Sequence, residues 1–152
     1  MEGKRISFSD DYNYLKKGDT IPLFTWKDES GNTISSEFLK GKPVLIILFT
    51  AACRHCKGNF DYLEKNLFSK FSLSFNIIAV GRECNSDQIN LYQSNFKPGI
   101  ILVPDPERKI YSKFAERAVP RNYLFDASGR LVISVRGFKP LELDRIVHLL
   151  VP

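Results

Sequence analysis

The chain has 152 residues, of which 43% are hydrophobic and 26% are charged, and its formal net charge is +5. This length suits one domain that buries about two-thirds of its unfolded surface, and the composition is that of an ordinary globular protein. The positive charge is spread along the chain, with no run of lysine or arginine longer than two residues. This pattern disfavours nucleic acid or an anionic membrane as a partner.

The remaining composition bears on the class and location of the protein. Three cysteines are too few for a disulfide scaffold, and their odd number leaves one thiol over. The sequence contains no apolar stretch of transmembrane length and no signal-like N-terminus. We expect a cytoplasmic protein if Met1 is native, and a periplasmic or otherwise extracytoplasmic one if an export signal has been removed. Residues 1–17 predict an irregular lead-in, and residues 18–152 predict a single domain.

The first ordered part of the domain is predicted to be a small hairpin. Residues 24–26 and 33–35 flank a polar segment that suits a tight reversal of the chain. Ser35 or Ser36 then caps one helical turn that ends at Leu39.

The segment that follows is the most informative part of the sequence. Residues 44–49 are too apolar for a half-exposed strand and predict a strand buried on both faces. The next apolar stripe has helical spacing and contains Cys56, Phe60, Leu63 and Leu67. Cys53 lies one turn before Cys56, where the free N–H groups at a helix start stabilise a thiolate. A strand that ends in Cys-x-x-Cys and opens a helix predicts a site that makes and breaks a disulfide, with Cys53 as nucleophile and Cys56 as resolving thiol.

A structural zinc site is the main alternative for two cysteines at this spacing. Zinc requires four ligands, and beyond the cysteine pair the chain offers only Cys84, His55 and His148. His55 lies between the two cysteines and would have to bend back to bind the same metal. We therefore expect no metal and no other cofactor.

Strands and helices alternate in the next part of the chain. Residues 75–80 predict a second buried strand, and Cys84 follows its carboxyl end. Ser86 and Asp87 are predicted to cap a helix. The apolar stripe of that helix contains Ile89, Tyr92 and Phe96.

Further elements follow the same alternation. Residues 100–103 predict a third short strand. Asp105 as N-cap and Pro106 at the first helical position predict another helix. The inward side chains of this helix are predicted to be Ile110, Tyr111 and Phe114. Residues 121–125 and 131–135 predict a hairpin around a polar turn.

The chain ends in a predicted helix that begins at Pro140, with His148 exposed. The buried stripe of this helix contains Leu143, Ile146, Val147 and Leu150. This order of elements predicts an α/β fold with a mainly parallel central sheet, helices on both faces and an antiparallel edge formed by the late hairpin. In such sheets, chemistry gathers beyond the carboxyl ends of the strands, where Cys53 lies.

Four segments carry a family resemblance over about residues 18–150. They are Gly-Asp-Thr-Ile-Pro at 18–22, Leu-Lys-Gly-Lys-Pro-Val at 39–44, Cys-Arg-His-Cys at 53–56 and Val-Pro-Arg-Asn-Tyr-Leu-Phe-Asp-Ala-Ser-Gly-Arg at 119–130. In order and spacing they resemble the thioredoxin superfamily, and within it the TlpA/ResA-type thiol-disulfide oxidoreductases and the neighbouring peroxiredoxin-like AhpC/TSA group. The resemblance implies a thioredoxin-like fold, a central mixed β-sheet flanked by helices, with an N-terminal β-hairpin extension. It also implies a cis bond at Pro120 beside the cysteines, and a Val119 backbone that binds a substrate peptide.

Three positions depart from the family pattern. Ala52 stands where these proteins usually carry a tryptophan, which leaves the site less covered. Asn59 occupies the position of the ResA-type glutamate, and Ile47 that of the buried thioredoxin aspartate. Deprotonation of Cys56 therefore needs help from another group or from water.

The residues around the nucleophile leave two questions open. Arg54 and His55 place positive charge beside Cys53, which would stabilise the reduced form and make the disulfide a stronger oxidant. Alternatively, both side chains point into solvent and have little effect. Cys84 follows a strand whose carboxyl end faces the same edge as Cys53. It is either an accessory thiol that resolves an oxidised Cys53 or a passive residue.

The motif and the resemblance together imply a thiol-disulfide oxidoreductase that contributes to cell redox homeostasis. Its partners would be protein or small-molecule disulfides and dithiols, and an unidentified redox partner. A peroxiredoxin-like antioxidant peroxidase is the first alternative, because Thr50 and Cys53 match part of the pattern P-x-x-x-T-x-x-C. However, Ile46 replaces the proline of that pattern, and Pro120 stands where the activating arginine aligns, with Arg121 one position away. The second alternative is a binding module without enzymatic activity.

Overall fold

The secondary structure alternates between strands and helices, as predicted. The computed structural model describes residues 12–68, 74–93 and 100–152. The strands are β1 (Thr25–Lys27), β2 (Thr33–Ser35), β3 (Val44–Phe49), β4 (Asn76–Arg82), β5 (Ile100–Asp105), β6 (Arg121–Phe125) and β7 (Leu131–Arg136). The α-helices are α1 (Arg54–Asn66), α2 (Ser86–Gln93) and α3 (Pro140–Leu150), and short 3-10 helices cover Ser36–Leu39 and Tyr111–Lys113.

The centre of the fold is a five-stranded mixed sheet in the order β5-β4-β3-β6-β7. Strands β3, β4 and β5 are parallel, whereas β6 and β7 are antiparallel to their neighbours. All six residues of the central strand β3 are buried, as its apolar sequence predicts. The α/β class, the central mixed sheet and the separate β1–β2 hairpin are confirmed.

The two faces of the sheet are covered differently. Leu45, Ile47 and Phe49 pack into one apolar cluster with residues of all three described α-helices. The alternate β3 side chains pack into a second cluster with the hairpin residue Trp26 and with Phe114. Of the helices predicted on both faces, the described α-helices all lie on the first face, and only short 3-10 helices lie on the second. The second face is covered by the N-terminal segment, the hairpin and 3-10 turns.

The prediction of a helix that begins at Asp105 is wrong. Strand β5 continues to Asp105, and only a 3-10 turn over Tyr111–Lys113 follows. The Asp105 carboxylate accepts hydrogen bonds from the backbone N–H groups of Ile110 at 3.0 Å and Tyr111 at 2.8 Å. Because the carboxylate accepts hydrogen bonds from residues further along the chain, it closes a compact loop and does not cap a helix at the residues directly after it. The predicted inward residues Ile110, Tyr111 and Phe114 are nevertheless buried.

Several boundaries shift by a few residues. Strand β4 runs to Arg82 and includes residues that were expected to follow the strand. Helix α2 is capped by Asn85 instead of Ser86 and Asp87: Asn85 Oδ1 accepts from the Gln88 N–H, and Gln88 Oε1 accepts from the Asn85 N–H, both at 2.9 Å. Its predicted stripe residue Ile89 is buried. Phe96 and the side chain of Tyr92 lie outside the described residues.

The N-terminal lead-in is irregular where it is described, and it packs against the domain. Asn13 forms a β-bridge with Ala115, and Leu15 belongs to the second apolar cluster. Residues 1–11 lie outside the described residues. Among the described helices, none is both long and apolar enough to cross a membrane.

Candidate active site

The cysteine motif lies where the central strand passes into the first long helix. Cys53 is the N-cap of α1 and has an extended backbone conformation. The preceding residue, Ala52, has a φ of 59°, in the left-handed region that side chains other than glycine disfavour. This sharp turn places the cysteine pair beyond the carboxyl end of β3, at the edge of the sheet that was predicted from sequence.

Cys53 and Cys56 form a disulfide whose two sulfurs lie in different surroundings. Their Cα atoms are 5.2 Å apart. Cys56 is 1% exposed and belongs to the helix-side apolar cluster, whereas Cys53 is partly exposed at the margin of that cluster. The backbone N–H of Cys56 donates to Cys53 Sγ at 3.1 Å. Cys53 is therefore the sulfur that an incoming thiol can reach, and the free N–H groups of the helix favour negative charge on it.

Arg54 and His55 are both exposed on the first turn of α1. The positive charge of Arg54 lies near Cys53 in sequence, but water and salt screen charges at such positions. The neighbouring Lys57 forms an ion pair with Asp61, with 3.1 Å between Nζ and Oδ2.

A second loop approaches the same edge of the sheet and contains the cis peptide bond between Val119 and Pro120, as the resemblance implies. Pro120 is buried and Val119 is partly exposed. Val119 and Cys53 both pack against the cluster that contains Cys56. The Gly137 N–H donates to the Pro120 carbonyl at 2.8 Å, which fixes this loop to the residue that follows β7.

A third loop covers the first turns of α1 with an aromatic ring. A Cβ atom at Gly58 would lie 2.8 Å from Phe138 Cδ2, so the ring is seated directly on the helix backbone. The Phe138 ring also lies 6.3 Å from that of Tyr62. Phe138 was not predicted from sequence. The signal that points to it is a glycine inside a helical pattern, which often has a packing reason.

The buried acids of related proteins are replaced by an uncharged pair. Asn59 on α1 and Asn122 on β6 are both fully buried, and each amide donates to the other at 3.0 Å. Asn122 is also the cross-strand partner of Ile47. Of the two positions where related proteins carry a buried acid, Asn59 is thus one member of this amide pair, and Ile47 lies opposite the other member. Asn122 was not predicted, because only the sheet register brings it opposite Asn59.

Cys84 is fully buried and packs against Gly81, where an added Cβ would lie 3.2 Å from its sulfur. Its thiol points toward the Arg82 carbonyl at 3.6 Å. This burial favours the passive interpretation of Cys84 over an accessory role.

The residues that match the peroxiredoxin pattern are engaged elsewhere. The Thr50 hydroxyl donates to the Arg82 carbonyl at 2.8 Å. Arg121 is 2% exposed and donates Nε at 3.1 Å and Nη2 at 2.8 Å to the Arg117 carbonyl. Its cross-strand partner Leu48 belongs to the cluster on the sheet face opposite Cys56, so Arg121 points away from the cysteines.

The described residues contain no group of three or more histidine, cysteine or acidic side chains placed to hold a metal ion. His148 is exposed, as expected, and its Nδ1 lies 2.8 Å from the Asp144 carbonyl oxygen.

Comparisons with known proteins identify a family for this sequence. The sequence model of the AhpC/TSA family matches residues 17–134. A candidate peroxiredoxin of Mycobacterium tuberculosis is 20% identical over 138 residues, covering 82% of this chain and 87% of that protein.

Two solved structures show the same thioredoxin-like fold. One is a candidate protein disulfide isomerase from Bacteroides thetaiotaomicron, with a TM-score of 0.80 and 23% identity, covering 90% of this chain and 89% of that one. The other is a thioredoxin-family thiol:disulfide interchange protein from Chlorobium tepidum, with a TM-score of 0.69 and 18% identity, covering 91% and 99%.

Proposed function

The chain belongs to the AhpC/TSA family, and we propose that within it this protein exchanges disulfides with protein substrates through Cys53 and Cys56. The observation that carries the proposal is the asymmetric cysteine pair. One sulfur is accessible at a helix N-terminus, and the other is buried one turn later, bonded to the first. An inert structural disulfide does not need an accessible sulfur at a position that favours a thiolate.

The exchange proceeds in two steps when the protein acts as a reductant. The Cys53 thiolate attacks one sulfur of a substrate disulfide, forms a mixed disulfide and releases the other substrate sulfur as a thiolate, which takes up a proton. Deprotonated Cys56 then attacks Cys53 Sγ, which restores the Cys53–Cys56 disulfide and releases the second substrate thiolate. The substrate gains two electrons and the protein loses two. The oxidative direction reverses both steps, and a separate redox partner resets the pair.

A protein substrate is supported by the loop around the cis bond. Val119 is partly exposed and packs against the same apolar cluster as Cys53, which supports the proposal that its backbone pairs with an extended segment of substrate. Arg54 and His55 line the exposed side of the same site, and we propose that they shift the potential of the pair modestly toward oxidation. A small disulfide would reach Cys53 without using Val119.

Trapping of the mixed disulfide tests the proposal. In Cys56→Ser, the first step occurs but the second cannot, so we expect a stable adduct between Cys53 and a cysteine of an oxidised test peptide, identified by mass spectrometry. Cys53→Ser should form no adduct, and Cys84→Ser should behave like the unmodified protein. An adduct that forms through Cys84, or none with any disulfide, would contradict the proposal.

A thiol peroxidase is the second candidate, favoured by the family and by the Mycobacterium tuberculosis relative. In that reaction the Cys53 thiolate would attack a peroxide oxygen, become a sulfenic acid and release water or an alcohol. The Thr50 hydroxyl and the Arg121 guanidinium donate to the carbonyls of Arg82 and Arg117, so neither contact supports the activation of the Cys53 thiolate that a peroxidase requires. We expect only slow oxidation of Cys53 by dilute peroxide, and fast sulfenic acid formation in Cys56→Ser would reverse the order of the two candidates.

A further inference from the structure

We propose that Tyr111 is a positioning residue that holds the cis-proline loop at a fixed place relative to the cysteine loop. The inference rests on the proposed function, because it concerns how the same site binds a protein substrate. Tyr111 is fully buried in the second apolar cluster, on the sheet face opposite Cys56. It therefore acts on the site only through the groups that it holds.

The hydroxyl of Tyr111 reaches directly into the cis-proline loop. It donates to the Ala118 carbonyl at 2.6 Å. Ala118 immediately precedes the cis dipeptide and has a φ of 84°, in the left-handed region that alanine disfavours. A residue in this conformation persists only when its surroundings hold it. The Tyr111 hydrogen bond is placed to do this for the peptide group next to Val119.

Tyr111 is itself fixed on three sides. Its backbone N–H donates to the Asp105 carboxylate at 2.8 Å. The guanidinium carbons of Arg82 and Arg108 lie 4.9 and 5.1 Å from the centre of its ring, close enough for cation–π attraction. Arg108 also donates from Nη2 to the Glu116 carbonyl at 2.9 Å. Side chains thus hold the loop at three successive carbonyls. Arg108 binds that of Glu116, Arg121 that of Arg117 and Tyr111 that of Ala118, the one nearest the cis bond.

The same contacts lead back to the cysteine loop. Arg82 ends strand β4, and its carbonyl accepts the hydrogen bond from Thr50. Thr50 follows β3 directly and stands three residues before Cys53. A continuous set of contacts therefore runs from Ala118 through Tyr111 and Arg82 to the turn that places Cys53.

This connection matters only to a substrate that uses both loops. A protein segment that pairs with Val119 while its sulfur reaches Cys53 needs the two loops at a constant separation. A small disulfide needs Cys53 alone. We therefore expect Tyr111 to affect the KM for protein disulfides and to leave the reaction with small disulfides unchanged.

The test is Tyr111→Phe, which removes the hydroxyl and keeps the ring. Its matched control is Tyr123→Phe, because Tyr123 is equally buried and donates its hydroxyl to Asn13 Oδ1 at 2.8 Å, in the N-terminal segment. Both variants are assayed for kcat and KM with an oxidised protein disulfide and with a small aromatic disulfide, together with the midpoint potential of the cysteine pair. For Tyr111→Phe we expect about a fivefold higher KM with the protein disulfide, the size of one lost hydrogen bond. The small-disulfide kinetics and the potential should not change, and Tyr123→Phe should change none of these values.

Arg108→Gln provides a second test should Tyr111→Phe fail to fold, since Arg108 lies nearer the surface. It should raise the same KM by a smaller factor. Three results would overturn the inference. The first is an equal loss of activity with protein and small disulfides, and the second is the same rise in KM for Tyr123→Phe. The third is an unchanged KM in both Tyr111→Phe and Arg108→Gln. A wild-type protein that reduces the small disulfide but no protein disulfide would remove the proposed substrate class, and the inference with it. A wild-type protein that reduces neither would remove the proposed function itself.

Discussion

At the scale of single residues, the site depends on the unequal positions of two cysteines. Cys53 is partly exposed at the start of α1, while Cys56 is buried. This inequality could be predicted from sequence. The strand pattern ahead of the motif places Cys53 at the start of the helix, and the helical stripe after it places Cys56 on the buried side. The prediction covers position and burial. The potential of the pair depends on solvation and on charges that sequence does not place.

Arg54→Ala tests how strongly an exposed charge shifts the midpoint potential of the Cys53–Cys56 pair. Loss of the positive charge should lower the midpoint potential, because the reduced form with its Cys53 thiolate loses a favourable interaction. Since Arg54 is exposed, we expect a shift of less than about 30 mV, the equivalent of one pKa unit. The potential is measured in glutathione buffers. Lys65→Ala removes the same charge at the far end of α1 and should leave the potential unchanged; an equal shift there would indicate an effect of net charge alone.

The buried amide pair was not predictable from sequence, because the contact joins two residues that are far apart in the chain. Removal of one amide leaves the other buried without its partner, so Asn122→Ala should lower the free energy of unfolding by about 1–3 kcal/mol. Replacing both Asn59 and Asn122 by alanine should cost less than the sum of the single changes. Urea denaturation measures the free energy of unfolding of Asn59→Ala, Asn122→Ala and the double variant. Strictly additive losses would show that the two amides do not stabilise each other.

At the scale of elements, loops from three parts of the chain meet at the carboxyl edge of the sheet. Sequence predicted the cysteine loop and the cis-proline loop, the latter through a family resemblance. It did not predict that the loop after β7 lays Phe138 on α1. Nor did it predict that Asp105 closes a loop where Pro106 suggested a helix. In both cases the structure is determined by tertiary contacts, which the local sequence pattern does not show.

Gly58 provides a direct test of the contact between α1 and Phe138. In an unobstructed helix, alanine in place of glycine is favourable by about 1 kcal/mol. Here the added Cβ would press on the Phe138 ring at 2.8 Å, so we expect Gly58→Ala to be destabilising by about 1 kcal/mol or more. In a Phe138→Ala background the same change should become stabilising. Thermal denaturation of the four proteins gives the answer, and an unchanged sign in the two backgrounds would contradict the contact.

The turn between β6 and β7 predicts a dependence of stability on pH. The Ser128 hydroxyl donates to Asp126 at 2.6 Å, and this bond, with those from the N–H groups of Arg130 and Ser128, holds the pKa of Asp126 below its ordinary 3.8. A lowered pKa in the folded state stabilises the fold above the unfolded pKa, and this contribution is lost as the pH falls through the folded value.

Asp126→Asn should therefore be less stable than the unmodified protein at pH 7, and the difference should shrink as the pH falls below 3.8. Urea denaturation between pH 2 and 7 measures this. Asp61→Asn, which removes a carboxylate from an exposed ion pair with Lys57, is the control. A difference between Asp126→Asn and the unmodified protein that stays constant with pH would rule out this account of the turn.

At the scale of the whole molecule, the order of strands places every part of the site at one end of the sheet. The parallel strands β3 and β4 end beside each other, with Phe49 opposite Gly81, and antiparallel β6 begins at the same edge. The sheet and its mixed character could be predicted because the apolar strands are distinct and well separated in sequence. The uneven covering of its two faces could not, since irregular segments such as residues 12–24 bury apolar side chains without a periodic pattern.

The whole molecule also bears on the choice between the proposed disulfide exchange and the peroxidase alternative. Arg121 stands one position from the arginine of the peroxidase pattern. It is buried on the sheet face opposite Cys56, so its side chain is directed away from the thiols. The cis-proline loop, by contrast, precedes β6 at the edge of the sheet where β3 ends, and its Val119 packs against the cluster that contains Cys56. This arrangement supports disulfide exchange over peroxide reduction.

The most direct test is a redox titration in which each cysteine is followed separately. The protein is equilibrated in glutathione buffers of graded ratio, free thiols are alkylated, and Cys53, Cys56 and Cys84 are mapped by mass spectrometry. We predict that Cys53 and Cys56 lose their thiols together at one midpoint, while Cys84 stays reduced throughout. A midpoint near about −270 mV would indicate a reductant, and one above about −200 mV an oxidant or isomerase. Failure of Cys53 and Cys56 to pair at any ratio, or a bond between Cys53 and Cys84 instead, would contradict the account.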